Sequence, residues 1–260
     1  MVAENEDSNL VLGRPLLVAG AGGAYVVNRY IPTKRLWGIT PNLWAVESAE
    51  GSVSVYYSAA GAIVTKADIY SIKGGFGGYP EVIYGRKPFG PNLPYANGQS
   101  PVFPRKASEM RNLICAVDYN LNCPWMGGNV AYDLWLTGEE FPSSPNGGVE
   151  VMVWLWRRNQ IPMGYYSGSA LFMVNGFPTR FDVYISKGFP WSVVSILLYD
   201  RHMIQRGTVM LDLMAFIRRG LSTLGRSYSA YLQGIEFGTE FTNADQLFTF
   251  TLSKFKIQQA

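Results

Sequence analysis

The chain has 260 residues, with 22 Lys and Arg against 19 Asp and Glu, for a net charge of +3. Only 16% of residues are charged, which excludes a disordered polyampholyte and argues against a nucleic-acid binder, because no basic face is concentrated. A single histidine, His202, nearly excludes histidine-based metal sites and leaves a serine or cysteine triad one candidate base, so hydrolytic chemistry falls to carboxylates.

Glu4, Glu6 and Asp7 make the start acidic, and no basic segment with an apolar core follows to form a secretion signal. Residues 16–27 are apolar but contain three glycines and are too short to span a bilayer; no transmembrane helix is expected elsewhere. The run Ala19-Gly20-Ala21-Gly22-Gly23-Ala24-Tyr25 invites a dinucleotide-loop reading. It fails because Tyr25 holds the third glycine position and Tyr30-Ile31-Pro32 interrupts any following helix.

From there, short alternating segments recur between Gly, Pro, Asn and Ser. Examples are 52–58, 112–119, 130–137, 149–156, 181–186, 193–199, 235–241 and 247–255. Period-2 alternation over four to eight residues predicts strands, and many of them predict an antiparallel sandwich or barrel. Aromatics at 14% and 28 glycines agree with a β-rich, turn-rich chain. Residues 88–104 read as a long loop. Cys115 and Cys123 would sit about 26 Å apart in one extended strand, at ~3.3 Å per residue. They pair only if the chain reverses at 120–122; otherwise they are buried free thiols. Residues 208–221 place Val209, Leu213, Phe216, Ile217 and Leu221 at helical spacing, with Thr208 as the cap. No composition shift marks a boundary, so 1–260 is read as a single domain, with residues 1–10 a peripheral acidic segment.

Three of the strands carry carboxylates in unusual company. In 149–156, Val149, Val151, Val153 and Leu155 form one face; Glu150, Met152, Trp154 and Trp156 form the other. The second face lacks the polar residues of a solvent face, and an unpaired buried Glu150 would cost several kcal/mol in a core. A groove for a ligand with apolar faces and hydroxyl rims, such as a sugar, explains both; an edge strand with Glu150 ion-paired to an arginine is the plainer reading. In 130–137, Asp133 shares a face with Trp135, and a locally paired Asp is an equal reading. In 235–241, Glu236, Gly238 and Glu240 share a face. Gly238 leaves space as if a ligand approached the backbone, and two like charges raise one carboxyl pKa, as a general acid needs. A solvated strand is the alternative.

Together these segments resemble glycoside hydrolase family 12, the endo-β-1,4-glucanases. The motifs are Glu150-Val151-Met152-Val153-Trp154-Leu155, Tyr132-Asp133-Leu134-Trp135, Phe237-Gly238-Thr239-Glu240-Phe241 and Asn42-Leu43-Trp44, in the family's order from about residue 36 onward. The resemblance implies a concanavalin-like β-jelly roll of two stacked antiparallel sheets, with a concave substrate cleft and one packed helix. It implies Glu150 as nucleophile, Glu240 as acid/base and Asp133 holding Glu150. Met152 and Trp154 would lie under the sugar, with Trp135 and Glu236 also lining the site. Trp44 would stack on a sugar whose hydroxyls Asn42 bonds. The loop after the nucleophile strand corresponds to Ile161-Pro162-Met163-Gly164.

The implied reaction is retaining hydrolysis of internal β-1,4 bonds in cellulose or β-glucan by a secreted monomer, without metal or organic cofactor. Departures from the family point to a divergent, prokaryotic or archaeal branch. The proline after the acid/base Glu is replaced by Phe241, and 16–31 and 88–105 match nothing in the family. The fungal N-terminal disulfide is also missing. Rival readings are a xyloglucan- or mixed-linkage-specific glucanase or transglycosylase, a non-catalytic carbohydrate-binding sandwich, and an outer-membrane barrel. The barrel fits badly with the Glu236/Glu240 strand and a helix.

Overall fold

The computed structural model describes residues 31–32, 37–44, 46–58, 60–75, 77–88 and 103–259. The acidic start, the glycine-rich run and most of the 88–104 loop lie outside these residues. In chain order the elements are β1 (Ile31–Pro32), β2 (Trp37–Thr40), β3 (Ser48–Tyr57), β4 (Ile63–Lys73), β5 (Glu81–Gly85) and β6 (Arg105–Lys106). There follow β7 (Leu113–Trp125), β8 (Gly128–Thr137), β9 (Val149–Arg158), β10 (Tyr165–Val174), β11 (Phe177–Ser186), β12 (Ser192–Leu198) and β13 (Arg206–Asp212). Helix α1 (Leu213–Thr223), β14 (Tyr231–Leu232), β15 (Gly234–Phe241) and β16 (Gln246–Gln259) complete the chain.

The strands form two stacked sheets, the mostly-β jelly-roll sandwich that the family resemblance implies. The larger runs β1-β2-β5-β15-β8-β9-β12-β11-β10, with β14 and β6 attached beside β8; the smaller runs β13-β7-β16-β4-β3. Every pairing is antiparallel except β9 with β12. That parallel step is possible because β10 and β11 intervene as a hairpin, closed by Asn175-Gly176 with φ of 53° and 84°. Positive φ at both turn residues is what an Asn-Gly hairpin turn supplies.

The core lies between the sheets. Val149, Val151, Val153 and Leu155 of β9 and Val130, Tyr132, Leu134 and Leu136 of β8 are buried there, facing Val117, Leu121, Phe248 and Phe250 of the smaller sheet. Each such side chain contributes about 1.5–3 kcal/mol by leaving water.

The helix begins later than its sequence pattern predicts. Residues 208–212 continue β13, where Val209 and Leu211 are buried and Thr208 and Met210 are exposed, a period of two. Asp212, not Thr208, caps the helix, accepting from Met214 N at 3.1 Å and Leu113 N at 2.9 Å. Gly220 lets the helix lie on β9, because a Cβ there would meet Val151 Cγ2 at 2.7 Å. Cys115 and Cys123 both lie in β7, buried and free, so the chain does not reverse between them. Burial pushes the Cys115 thiol up to about 12, which leaves it inert.

Candidate active site

The outer face of the larger sheet carries the predicted site residues on three adjacent strands. Across β15, β8 and β9, Glu236 lies opposite Asp133, which lies opposite Met152; Trp135 lies opposite Glu150, and Glu240 opposite Asn129. Alternation on β8 therefore puts Asn129, Ala131, Asp133 and Trp135 on this face. On the same face, Ala131, Met152, Trp154, Val193 and Leu197 form a second apolar cluster, with Tyr184 and Trp191 packed against it.

Trp156 leaves the face that simple alternation gives it. Val130 pairs with Trp156 but Ala131 pairs with Trp154, so Leu155 is an extra residue in β9. This bulge shifts the phase of the strand. Trp156 then packs into the main core, and Arg157 comes to lie opposite Asn129.

Glu150 accepts a hydrogen bond from Trp191 Nε1 at 2.7 Å and another from the Asp133 carboxyl. Burial pushes its carboxyl up to about 7. The Trp191 bond opposes this, while the charges of Glu240 and Glu236 reinforce it. Asp133 stands well above the usual carboxylate range, first from burial and then from the neighbouring charges of Glu150 and Glu236. The two carboxyls titrate as one pair that keeps a shared proton above the usual carboxylate range.

Glu240 sits in a different setting. Asn129 Nδ2 and Gln160 Nε2 both donate to its Oε2, at 2.6 and 2.8 Å. Burial raises its pKa and the two amides oppose the rise. Gln160 is itself anchored, since Arg157 donates to its backbone oxygen at 3.2 Å and to Asp200 at 2.8 Å.

Glu236 is 1% exposed and does not stand open to a ligand as a free acid. Lys87 Nζ pairs with it at 2.7 Å and with Glu81 at 2.6 Å, and Asn42 Nδ2 donates to the same Glu81 oxygen at 2.7 Å. The buried group Glu81–Lys87–Glu236 thus joins Asn42 to the strand of Glu240. Glu81 is driven well above the usual range by burial and by Glu236. Nothing in the sequence pattern marks Glu81, which lies in β5 beside β15. Gly238 also has another reason than the one read from sequence: a Cβ there would strike the backbone oxygen of Pro80, so the close approach is by the neighbouring strand.

Trp44 is exposed at the surface beyond Asn42, and Trp135 is buried edge-on against Trp191 at 5.5 Å. Asn129, Gln160, Trp191 and Lys87 were not read from the sequence. Only Asn129 had a signal there, being one alternation step beyond Ala131. Among the described residues no group of His, Cys, Asp and Glu is arranged to hold a metal ion, and no helix is long and apolar enough to cross a membrane.

A model of glycosyl hydrolase family 12 matches residues 36–258. The chain belongs to that family. Family 12 structures also match its fold. A family 12 xyloglucanase from Bacillus licheniformis is 19% identical, over 92% of this chain and 100% of that one, with a TM-score of 0.73. Endo-1,4-β-glucanase CelB2 is 18% identical, over 90% and 96%, with a TM-score of 0.70. Endoglucanase cel12A from Rhodothermus marinus is 20% identical, over 90% and 100%, with a TM-score of 0.66. No curated protein sequence matches the chain.

Proposed function

We propose that this family 12 glycoside hydrolase cleaves internal β-1,4 bonds of glucan chains with retention of configuration. The reading rests on one observation above the others. Two carboxyl groups share the outer face, and their surroundings push them toward different tasks. Glu150 receives an indole N–H and a carboxyl proton, which favour the ionised form of a nucleophile. Glu240 is raised by burial and held at one oxygen by two amides, which suits a proton carrier.

A Glu150 oxygen attacks the anomeric carbon while Glu240 gives its proton to the departing oxygen of the next sugar. Glu240 then takes a proton from water, which attacks the same carbon and frees Glu150. Retaining enzymes hold the two carboxyls about 5–5.5 Å apart, with no room for water to attack first. Asp133 keeps Glu150 oriented through both steps. Met152 and Trp154 support the sugar's apolar face, and Trp44 and Asn42 serve sugars further along the chain. A polymer of this kind is met outside the cell, so the enzyme acts as a secreted protein.

Xyloglucan is the second substrate to test, because family 12 xyloglucanases share this fold with a TM-score of 0.73. The deciding assay follows the viscosity of soluble carboxymethylcellulose beside reducing-end release, for wild type and Glu150→Gln. A fast viscosity fall with few new ends, lost in the variant, is expected. If cellulose derivative, barley β-glucan and xyloglucan all stay intact while glucan still binds, the protein is a binding module and the hydrolase reading fails.

A further inference from the structure

Two acceptors beside Glu240 have no use in the steps above. Asn129 is fully buried and Gln160 is 8% exposed. Each spends its NH2 on Glu240 Oε2, which fixes the orientation of both amides. Their carbonyl oxygens, Asn129 Oδ1 and Gln160 Oε1, are buried and have no hydrogen-bond partner among the described residues. Native folds seldom strand two such acceptors side by side. Both belong to side chains already held in place, one by the β8–β15 ladder and the other by Arg157. Such an acceptor is satisfied by a group that brings O–H or N–H donors, which water does and a sugar hydroxyl taking its place also does.

We propose that Asn129 and Gln160 form a hydroxyl-binding subsite for the sugar on the leaving-group side of the cleavage point. The inference rests on the reading of Glu240 as acid/base. The oxygen that Glu240 protonates belongs to that sugar, so its hydroxyls lie next to the two amides that grip Glu240. The same pair then serves twice. Its N–H groups hold Glu240 by Oε2, leaving Oε1 to carry the proton, and its oxygens take up the hydroxyls of the sugar being expelled. An incoming sugar in the reverse sense, as acceptor of the glycosyl group, uses the same contacts. The subsite is pre-organised, because the amides are oriented before any sugar arrives.

The test measures how the glycosyl-enzyme divides between water and a sugar acceptor. Dinitrophenyl β-cellobioside serves as donor and cellobiose as acceptor. Released dinitrophenolate counts all turnovers, and cellotetraose counts transfers. Glu240 activates water and sugar alike, so its own positioning cancels from the ratio of transfer to hydrolysis. In Gln160→Met and, separately, Asn129→Ser, the ratio is expected to fall about fivefold, which corresponds to about 1 kcal/mol. Two variants on different elements guard against one failing to fold, and a thermal melt of each confirms the native state. A ratio unmoved in both folded variants, even with slower turnover, means that the amides only hold Glu240 and overturns the inference while the hydrolase reading stands. A wild type that transfers to water alone overturns it in the same way. No dinitrophenolate release by wild type would sink the hydrolase reading, and this inference with it.

Discussion

Replacing Trp191 by Phe should move the pH at which Glu150 becomes a nucleophile. An aromatic ring remains, so the stack on Phe189 at 5.0 Å and the edge contact with Trp135 are partly kept. What goes is the N–H that Trp191 donates to Glu150 Oε2 at 2.7 Å. That bond stabilises the ionised carboxylate, so its loss raises the pKa above its present value of about 7. A hydrogen bond to a charged group is worth about 1.5–3 kcal/mol, and 1.36 kcal/mol is one pKa unit. Water entering the gap recovers part of this, which leaves a rise of about one unit. The assay is kcat/KM against pH for dinitrophenyl cellobioside, whose leaving group needs no proton from Glu240. The acid limb should move up by about one unit, so activity falls about tenfold at pH 6 and less than twofold at pH 9. An equal loss at every pH, with the midpoint unmoved, would refute the reasoning. It would mean that the ionised form of Glu150 does not depend on this donor.

Further expectations concern the buried charges and the helix. Lys87→Met strands Glu81 and Glu236 without their cation, which should cost about 3–5 kcal/mol in urea unfolding. Changing both acids to Gln in the same chain should recover most of that loss; no recovery would place the cost in packing instead. Glu150 is an acid whose folded pKa is raised, so its contribution to stability is lost as pH rises from its unfolded value near 4.5 through about 7. Glu150→Gln should therefore gain up to about 3 kcal/mol at pH 8 and almost nothing at pH 4, read from denaturant midpoints; an equal gain at both would refute the linkage. Gly220→Ala should destabilise by about 1–3 kcal/mol, despite alanine's better helix propensity, because the new methyl meets Val151. A rise in melting temperature would show that the helix can shift outward.

The site's strands are legible because each carries a carboxylate on the face opposite a run of mostly apolar residues. That contrast is local, and period-2 reading captures it in β8, β9 and β15. Where alternation breaks, the reading breaks. Simple alternation puts Trp156 on the ligand face because nothing in Trp154-Leu155-Trp156 announces a bulge, which is set by the pairing of β9 with β8. The start of α1 is ambiguous in sequence because Val209 and Leu213 satisfy a helical spacing while Val209 and Leu211 also satisfy a strand. Pairing with β7 decides between them. The sequence points Gly238 toward a ligand, though the contact comes from Pro80, the residue just ahead of β5. Glu81, Lys87, Trp191 and Gln160 join the site from separate segments, and their meeting is a property of strand order that one segment's pattern does not contain. β10, with its Tyr, Ser and Gly, escaped because it is an edge strand whose first half packs against little.

The parallel step between β9 and β12 bears on how the site is assembled. β10, β11 and β12 are sequence neighbours that zip locally, starting from a turn that forms within microseconds. Joining β12 to β9 instead closes a long stretch of chain, and such closures are the slow, entropically costly part of β folding. Trp191, just ahead of β12, reaches Glu150 only once that closure is made. On refolding, strand content should therefore return before hydrolytic activity, with the charge state of the nucleophile set by a non-local closure rather than by the strand that carries it.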